Sequence, residues 1–183
     1  MLSANKGFTL LELAVVFIII AILLGIGMPY YDQVMERSRM AEATSIIGAM
    51  RASQERHMLS KNRYAKYWQL LDATPAELRS ADKVNDFFNE DKTIFYTHGG
   101  LTTAEQPNIG FAVHFDEINK HWFLVADRVG RGGYSYSFVR DFDDSVAVCV
   151  PDSSNDKSVT LCMDAMGANS LEELPPDPRL AAQ

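Results

Sequence analysis

The hydropathy pattern at the N-terminal end of the chain is an almost unbroken apolar segment. Residues 8–28 read FTLLELAVVFIIIAILLGIGM, in which Thr9 and Glu12 are the only polar side chains. An α-helix needs about 20 apolar residues to cross the roughly 30 Å hydrocarbon core of a bilayer. The pattern therefore predicts a membrane-spanning helix over residues 8–28. Lys6, the only positive charge ahead of the segment, favours a cytoplasmic N-terminus.

A cleaved secretory signal peptide is the alternative explanation for such a segment. Its apolar region is typically shorter and ends at a small-residue cleavage site. Here the apolar run ends in Gly27-Met28-Pro29-Tyr30-Tyr31, which favours a retained helix. Because proline removes a backbone N–H and clashes with the preceding turn, we expect a kink at Pro29 within a continuous helix. A break at Met28, with a new helix starting at Pro29, is the alternative.

Helical periodicity continues beyond the apolar segment. Apolar residues recur at steps of three and four, with Gln54 as a polar member of the stripe: Val34, Ala41, Ala43, Ile46, Ile47, Met50 and Met58. Charged residues occupy the opposite side, which we expect to face water: Asp32, Glu36, Arg39, Glu42, Arg51 and Glu55. The pattern predicts one helix over residues 8–60 whose second half packs on a globular head formed by residues 61–183.

The head changes to a β pattern after a connecting region over residues 62–80. Short runs rich in β-branched and aromatic residues predict about four antiparallel strands: Thr93–Thr97, Ile109–Asp116, His121–Asp127 and Tyr134–Arg140. A loop at Glu117–Lys120 would join the middle two as a hairpin, and Val146–Val150 is a candidate further strand. Residues from Leu174 onward are rich in proline and predict an irregular tail. The expected fold class is α+β.

Charge and chemistry narrow the function classes. A net charge of −7 argues against nucleic-acid binding, which needs clustered Lys and Arg. No catalytic motif stands out, so we expect no enzyme and no cofactor. Three groups of polar residues contain side chains that can bind metals: His114 and His121 with Asp116; Asp141, Asp143 and Asp144; Asp152, Asn155 and Asp156. We interpret these residues as packing residues or solvated loops, so we expect no metal.

The carboxylate of Glu12 is anomalous inside an apolar helix, because burying it in a bilayer costs on the order of a few kcal/mol. Either Glu12 reaches to the membrane interface, or it pairs with a cation at the same depth in a neighbouring chain. The segment Lys6-Gly7-Phe8-Thr9-Leu10-Leu11-Glu12 resembles the class III signal sequence of type IV pilins and type II secretion pseudopilins. The charged stretch from Glu36 to Ala43 also resembles the region that follows the span in bacterial pilins.

This resemblance implies a processing and assembly pathway. A prepilin peptidase would remove the leader, residues 1–7, by cutting after Gly7, and would methylate the new N-terminus at Phe8. Glu12 would be needed for assembly, and its carboxylate would pair with the Phe8 amine of the adjacent subunit. The precursor would lie in the inner membrane with its head outside the cytoplasm. An inner-membrane assembly platform would then build it into a homo-oligomeric helical filament on the cell surface.

The two cysteines, Cys149 and Cys162, either form a disulfide or remain free thiols. The resemblance implies a disulfide that bounds a C-terminal loop. A main pilin is the favoured function, and a minor pilin or type II secretion pseudopilin is the nearest alternative. A binding or enzymatic domain that uses the helix only as a tether is an alternative of another class. Such a tether would not depend on Gly7, Phe8 or Glu12.

Overall fold

The structure is a computed structural model that describes residues 9–72, 93–97, 110–129, 133–143 and 146–182. Its first element is a single helix, α1 (Leu10–Lys61). Because α1 runs through Pro29 without interruption, the alternative of a break at Met28 is wrong. The kink at Pro29 stays a prediction. The chain divides into two compact units, Met1–Ser38 and Arg39–Gln183, so the second unit contains the later turns of α1.

The second unit contains a five-stranded antiparallel sheet in which each strand pairs with the next along the chain. The strands are β1 (Ile94–Tyr96), β2 (Gly110–Ile118), β3 (His121–Val129), β4 (Tyr136–Asp141) and β5 (Val148–Pro151). The expected α+β class and antiparallel meander are confirmed. The candidate further strand at Val146–Val150 corresponds to β5. With the four predicted strands, it gives the five strands of the sheet.

The turn between β2 and β3 is tighter than the sequence suggested. Its two residues, Asn119 and Lys120, have φ values of +49° and +70°. Two successive residues at positive φ form the type I′ turn that matches the right-handed twist of a hairpin. Pairing therefore continues to Ile118 and His121, and the predicted four-residue loop at Glu117–Lys120 is wrong.

The buried stripe of α1 differs from the predicted one at its N-terminal end. Steps of four and three residues connect six of its buried members, which are Glu36, Met40, Ala43, Ile47, Met50 and Gln54. Ser53, next to Gln54, is buried as well. Val34 is 62% exposed and Ala41 is also exposed, although both were predicted to extend the stripe. Glu36 was expected on the water-facing side and is fully buried. Helical periodicity of 3.6 residues extends the stripe from Ala43 through Met40 to Glu36. A stripe defined by apolar residues alone leaves out Glu36 because its side chain is charged.

The core of the second unit lies between this stripe and one face of the sheet. Its buried members come from the helix, the connecting region, all five strands and the C-terminal part of the chain: Met40, Ala43, Ile47, Met50, Ala65, Trp68, Leu71, Phe95, Phe111, Val113, Leu124, Ala126, Tyr136, Phe138, Cys149, Leu161 and Cys162. The second half of α1 therefore shares one hydrophobic core with the sheet and the C-terminal part of the chain.

The connecting region returns from the end of α1 onto the sheet. Gln54 holds it at the buried backbone of Ala65, where its amide both accepts from the N–H at 2.9 Å and donates to the C=O at 2.7 Å. Trp68 stacks on Phe115 with 4.5 Å between ring centroids. The ring of Tyr64 packs against those of Trp122 and Phe142, whereas Tyr67 is half exposed. The predictions that fall on residues 73–92 lie outside the described residues.

The C-terminal part of the chain is more ordered than the sequence suggested. Helix α2 (Asp156–Met166) follows β5, a 3-10 turn covers Leu171–Glu173, and a short helix α3 spans Pro178–Ala181. The predicted irregular tail instead docks on the sheet face that points away from α1. There Ala182 packs with a second buried cluster formed by Phe123, Val125 and Val139. The backbone C=O of Ala182 also accepts a hydrogen bond of 2.7 Å from the Asn119 side chain.

Candidate assembly segment

The first turn of α1 is capped by Thr9. Its hydroxyl oxygen accepts a hydrogen bond of 3.2 Å from the backbone N–H of Glu12. A threonine followed three residues later by a glutamate is the capping-box pattern. The spacing of Thr9 and Glu12 in the sequence is therefore a local signal for the start of α1. The cap uses the backbone of Glu12 and leaves the carboxylate of this exposed residue available for other contacts.

The apolar half of α1 is uncovered in the single chain. Every side chain from Leu10 to Met28 is exposed, and this stretch is long and apolar enough to cross a membrane. At 1.5 Å per residue it spans roughly 28 Å, close to the thickness of the hydrocarbon core. An exposed apolar surface of this size marks a site of contact with lipid or with other protein. The described part of the predicted span, Leu10–Met28, is therefore helical and exposes side chains on every face of the helix.

The structure places the other predicted processing and assembly residues as follows. Gly7 and Phe8 lie outside the described residues, so cleavage after Gly7 and methylation at Phe8 stay predictions. Glu12 lies in the first turn of α1, and Pro29 lies within the helix just after the exposed apolar stretch. The hypothesis that Glu12 pairs with the Phe8 amine of an adjacent subunit involves a second chain and also stays a prediction.

Cys149 and Cys162 form a disulfide with 5.5 Å between their Cα atoms. Cys149 lies in β5 and Cys162 in α2, and both side chains are fully buried in the core. The disulfide therefore joins a strand to a helix; the sequence had suggested a simple loop between the two cysteines. Closing a segment of this length contributes about 3 kcal/mol to stability in the chain-entropy description.

Helix α2 begins where the sequence predicted a polar loop. Asn155 caps it by accepting from the N–H of Ser158 at 3.1 Å, and its amide donates to the C=O of Gly133 at 2.9 Å. Asp152 accepts from the N–H of Ser154 at 3.0 Å. Gly167 ends the helix at φ +69°, a left-handed conformation that suits glycine. Asp152 and Asn155, two members of an acidic group considered above as a metal site, therefore stabilise a turn and cap helix α2.

A charged network fixes the C-terminal tail to the outer face of the sheet. The Nε2 atom of His114 lies 3.2 Å from Asp116, and its Nδ1 atom lies 3.7 Å from Asp127. Arg179 on α3 pairs with Asp177 at 2.7 Å and approaches Asp116 at 3.7 Å. Burial lowers the pKa of His114, but the hydrogen bond to Asp116 and the charges of Asp116 and Asp127 outweigh it, so this pKa is raised. The same hydrogen bond, ahead of an opposing effect of burial, lowers the pKa of Asp116.

The N-terminal segment matches a known family model. The model describes the prokaryotic N-terminal methylation motif, and it matches residues 2–28. This segment carries a type IV prepilin motif. The resemblance stated from Lys6 to Glu12 is thereby confirmed, and the motif coincides with the capped, exposed half of α1.

Several pilins and fimbrial proteins are similar to part of the chain. The type IV major pilin protein PilA of Myxococcus xanthus is 36% identical over 71 residues, which cover 39% of this chain and 32% of that protein. The type IV major fimbrial protein FimA of Dichelobacter nodosus is 42% identical over 59 residues, covering 32% of this chain and 38% of its own. The fimbrial protein EcpC of Eikenella corrodens is 39% identical over 59 residues, which cover 32% and 39%.

The similarity to these relatives covers only part of their length. The chain spans about a third of the length of the curated relatives it matches. No solved structure matches the chain. The relatives are pilins and fimbrial proteins by name, and their similarity covers 32–39% of this chain.

Proposed function

We propose that the chain is a structural subunit of a type IV pilus-like filament and has no enzymatic role. The observation that carries this proposal is the exposed apolar stretch Leu10–Met28, which lies within the prepilin motif matched over residues 2–28. The bilayer would cover this surface in the precursor. The equivalent helices of neighbouring copies would cover it in the filament, which makes the subunit a homo-oligomer.

Cleavage after Gly7 would supply the cation that Glu12 lacks. The new terminal amine at Phe8 lies one helical turn from Glu12 in sequence, so staggered copies would bring the amine of one to the carboxylate of the next. A buried pair of this kind contributes little net stability, but removal of one partner leaves an uncompensated charge. The pair would therefore select one axial register between subunits, as a buried polar residue does in a coiled coil.

The disulfide supports a head outside the cytoplasm. Disulfides persist in oxidising compartments and are rare in the reducing cytosol, and Cys149–Cys162 joins two buried elements of the head. This location agrees with Lys6 on the cytoplasmic side of the span. The precursor would thus sit in the inner membrane, where prepilin peptidase and the assembly platform act on it, before the filament emerges at the cell surface.

The first test is mass spectrometry of filaments sheared from the native cells. We expect an abundant N-terminal peptide that starts at methylated Phe8. A processed peptide confined to the membrane fraction would instead indicate a minor pilin or a type II secretion pseudopilin. An uncut Met1 terminus would contradict the proposal and favour a membrane-tethered domain.

A second test removes the Glu12 carboxylate. The substitution Glu12→Ala keeps the Thr9 cap, because the cap uses the backbone N–H of Glu12. We expect normal membrane insertion and cleavage but loss of sheared filaments, measured by immunoblotting of the sheared and membrane fractions. The isosteric Glu12→Gln should behave in the same way because it also lacks the charge.

The control for this test is Glu172→Ala, which removes an exposed glutamate from the 3-10 turn of the head. Filament yield in this variant should equal that of the unaltered protein. Normal filament yield in Glu12→Ala would overturn the assigned role of Glu12. It would leave the wider proposal of a filament subunit to be decided by the Phe8 peptide.

A further inference from the structure

The hairpin end of the sheet brings three metal-ligating side chains together. His121 is the first residue of β3, Asp141 is the last residue of β4, and Asp143 follows two positions later. One ligand atom from each of the three lies within 4.8 Å of the other two. The Nδ1 atom of His121 is 3.6 Å from a carboxylate oxygen of Asp143. The two aspartates lie about twenty residues after His121 in the chain, so only the pairing of β3 with β4 brings them to it.

Backbone hydrogen bonds fix the main chain beneath this cluster. Beyond the last paired residues of β3 and β4, the N–H of Phe142 donates to the C=O of Trp122 at 3.1 Å. The N–H of Asp143 donates to a carboxylate oxygen of Asp141 at 2.9 Å. Arg51 of α1 donates to the C=O of Phe142 at 3.2 Å. The three ligands therefore project from a region tied to the sheet and to α1, so little ordering is needed on binding.

We propose that His121, Asp141 and Asp143 bind a divalent late transition-metal ion such as Zn²⁺. One imidazole nitrogen and two carboxylate oxygens are ligands that Zn²⁺ accepts, and imidazole suits Zn²⁺, Cu²⁺ and Ni²⁺. Calcium takes six to eight oxygen ligands, which fits this set less well. With three protein ligands, water would complete the coordination sphere. Because His121 is 52% and Asp143 81% exposed, an ion can reach the site directly from solvent.

The local charge favours a cation. Two carboxylates and a single imidazole make up the cluster, and carboxylate oxygens attract divalent cations. The ring of Tyr64 lies 4.9 Å from that of Phe142. Burial raises the pKa of Tyr64, and the negative charge of Asp143 and, to a smaller extent, that of Asp141 raise it further. Arg51, which donates to the C=O of Phe142, also pairs with Glu55 at 2.8 Å. A bound divalent ion would neutralise the aspartates.

The test is isothermal titration of the full-length, detergent-solubilised protein with Zn²⁺, after chelator treatment and dialysis. We expect one Zn²⁺ per chain. The substitution His121→Gln should weaken the affinity by at least about tenfold, since even loss of a supporting partner of a metal ligand typically costs 10- to 100-fold. Asp143→Asn should weaken it similarly. The matched control His57→Gln removes an imidazole outside the cluster and should leave the affinity unchanged.

A second readout locates the ion. Trp122 is adjacent to His121, so paramagnetic Ni²⁺ should quench tryptophan fluorescence, and the Trp122→Phe variant should lose this quenching. Circular dichroism would establish that each variant is folded. Absence of a stoichiometric Zn²⁺ site would overturn the proposal. Equal affinity in folded His121→Gln and the unaltered protein would overturn it as well.

Discussion

Gln54 shows how one polar side chain holds two parts of the head together. It is fully buried on the stripe of α1, where the sequence identified it as the polar member of an apolar series. Its amide satisfies both the N–H and the C=O of Ala65. Ala65 belongs to the segment that returns from the helix to the sheet, so a single side chain fixes the direction of that return.

Replacement of Gln54 by leucine should destabilise the head although it adds apolar volume. The backbone N–H and C=O of Ala65 would lose their partners while buried, at a cost of about 1–3 kcal/mol for each unsatisfied group. We expect a lower urea midpoint for Gln54→Leu, measured by tryptophan fluorescence of the detergent-solubilised protein. The control Gln69→Leu alters an exposed glutamine in the same region and should change the midpoint little. Equal midpoints for the two variants would contradict this role.

The C-terminal tail is the element whose position depends most on charge. Arg179 lies near Asp116 and Asp177, and Asp116 also contacts His114 of the same strand. Asp127 of β3 faces the other nitrogen of His114, and the Ser137 hydroxyl of β4 donates to Asp127. The buried Nδ1 atom of His114 makes no hydrogen bond, so its protonation would place a positive charge opposite Asp127. Stability of this docked arrangement should therefore depend on pH.

The sign of this dependence follows from the two pKa shifts. The pKa of His114 is raised on folding, so its contribution is complete below the ordinary histidine value of about 6.5 and is lost as pH rises through the raised value. The pKa of Asp116 is lowered, so its contribution is complete above about 3.9 and is lost as pH falls through the lowered value. The network should stabilise the protein most between these two ordinary values.

Urea midpoints measured as a function of pH test this expectation. The difference in midpoint between the unaltered protein and His114→Asn should shrink as pH rises above about 6.5. The control His57→Asn removes an imidazole outside the network and should show no comparable trend. A difference between the unaltered protein and His114→Asn that stays constant from about pH 5 to pH 9 would show that His114 contributes through packing alone.

At the scale of the whole molecule, the two compact units present different surfaces to their surroundings. Within the unit Arg39–Gln183, one core draws residues from α1, the sheet and α2. The unit Met1–Ser38 presents exposed apolar side chains from Leu10 to Met28. Such a surface needs cover from lipid, detergent or other chains, whereas the second unit buries its own apolar surface.

A chain that begins at Tyr31 should therefore be soluble without detergent. It keeps every member of the core cluster, so we expect a monomer with native tryptophan fluorescence and a cooperative thermal transition. The full-length protein should require detergent to remain dispersed. Size-exclusion chromatography with light scattering would compare the two. Aggregation or loss of cooperative unfolding in the shortened chain would show that the head depends on the removed segment.

Local patterns predicted much of this protein from the sequence. The uninterrupted apolar run specified a helix of membrane length because burial of its backbone polar groups in lipid requires internal hydrogen bonds. Runs rich in β-branched and aromatic residues predicted four strands. The motif from Lys6 to Glu12 indicated the type IV prepilin segment that the family model matches. Each of these features depends on residues that are close together in the chain, so it can be predicted from a short stretch of sequence.

Only the tertiary structure decided which distant residues meet. It placed Glu36 on the buried stripe and joined Gln54 to the backbone of Ala65. It also docked the tail on the sheet through Arg179 and brought His121 to Asp143. It also showed that the disulfide between Cys149 and Cys162 joins a strand to a helix. These contacts depend on strand register and on the direction of the returning chain. Both are fixed by the packing of the whole head, which no single stretch of sequence specifies.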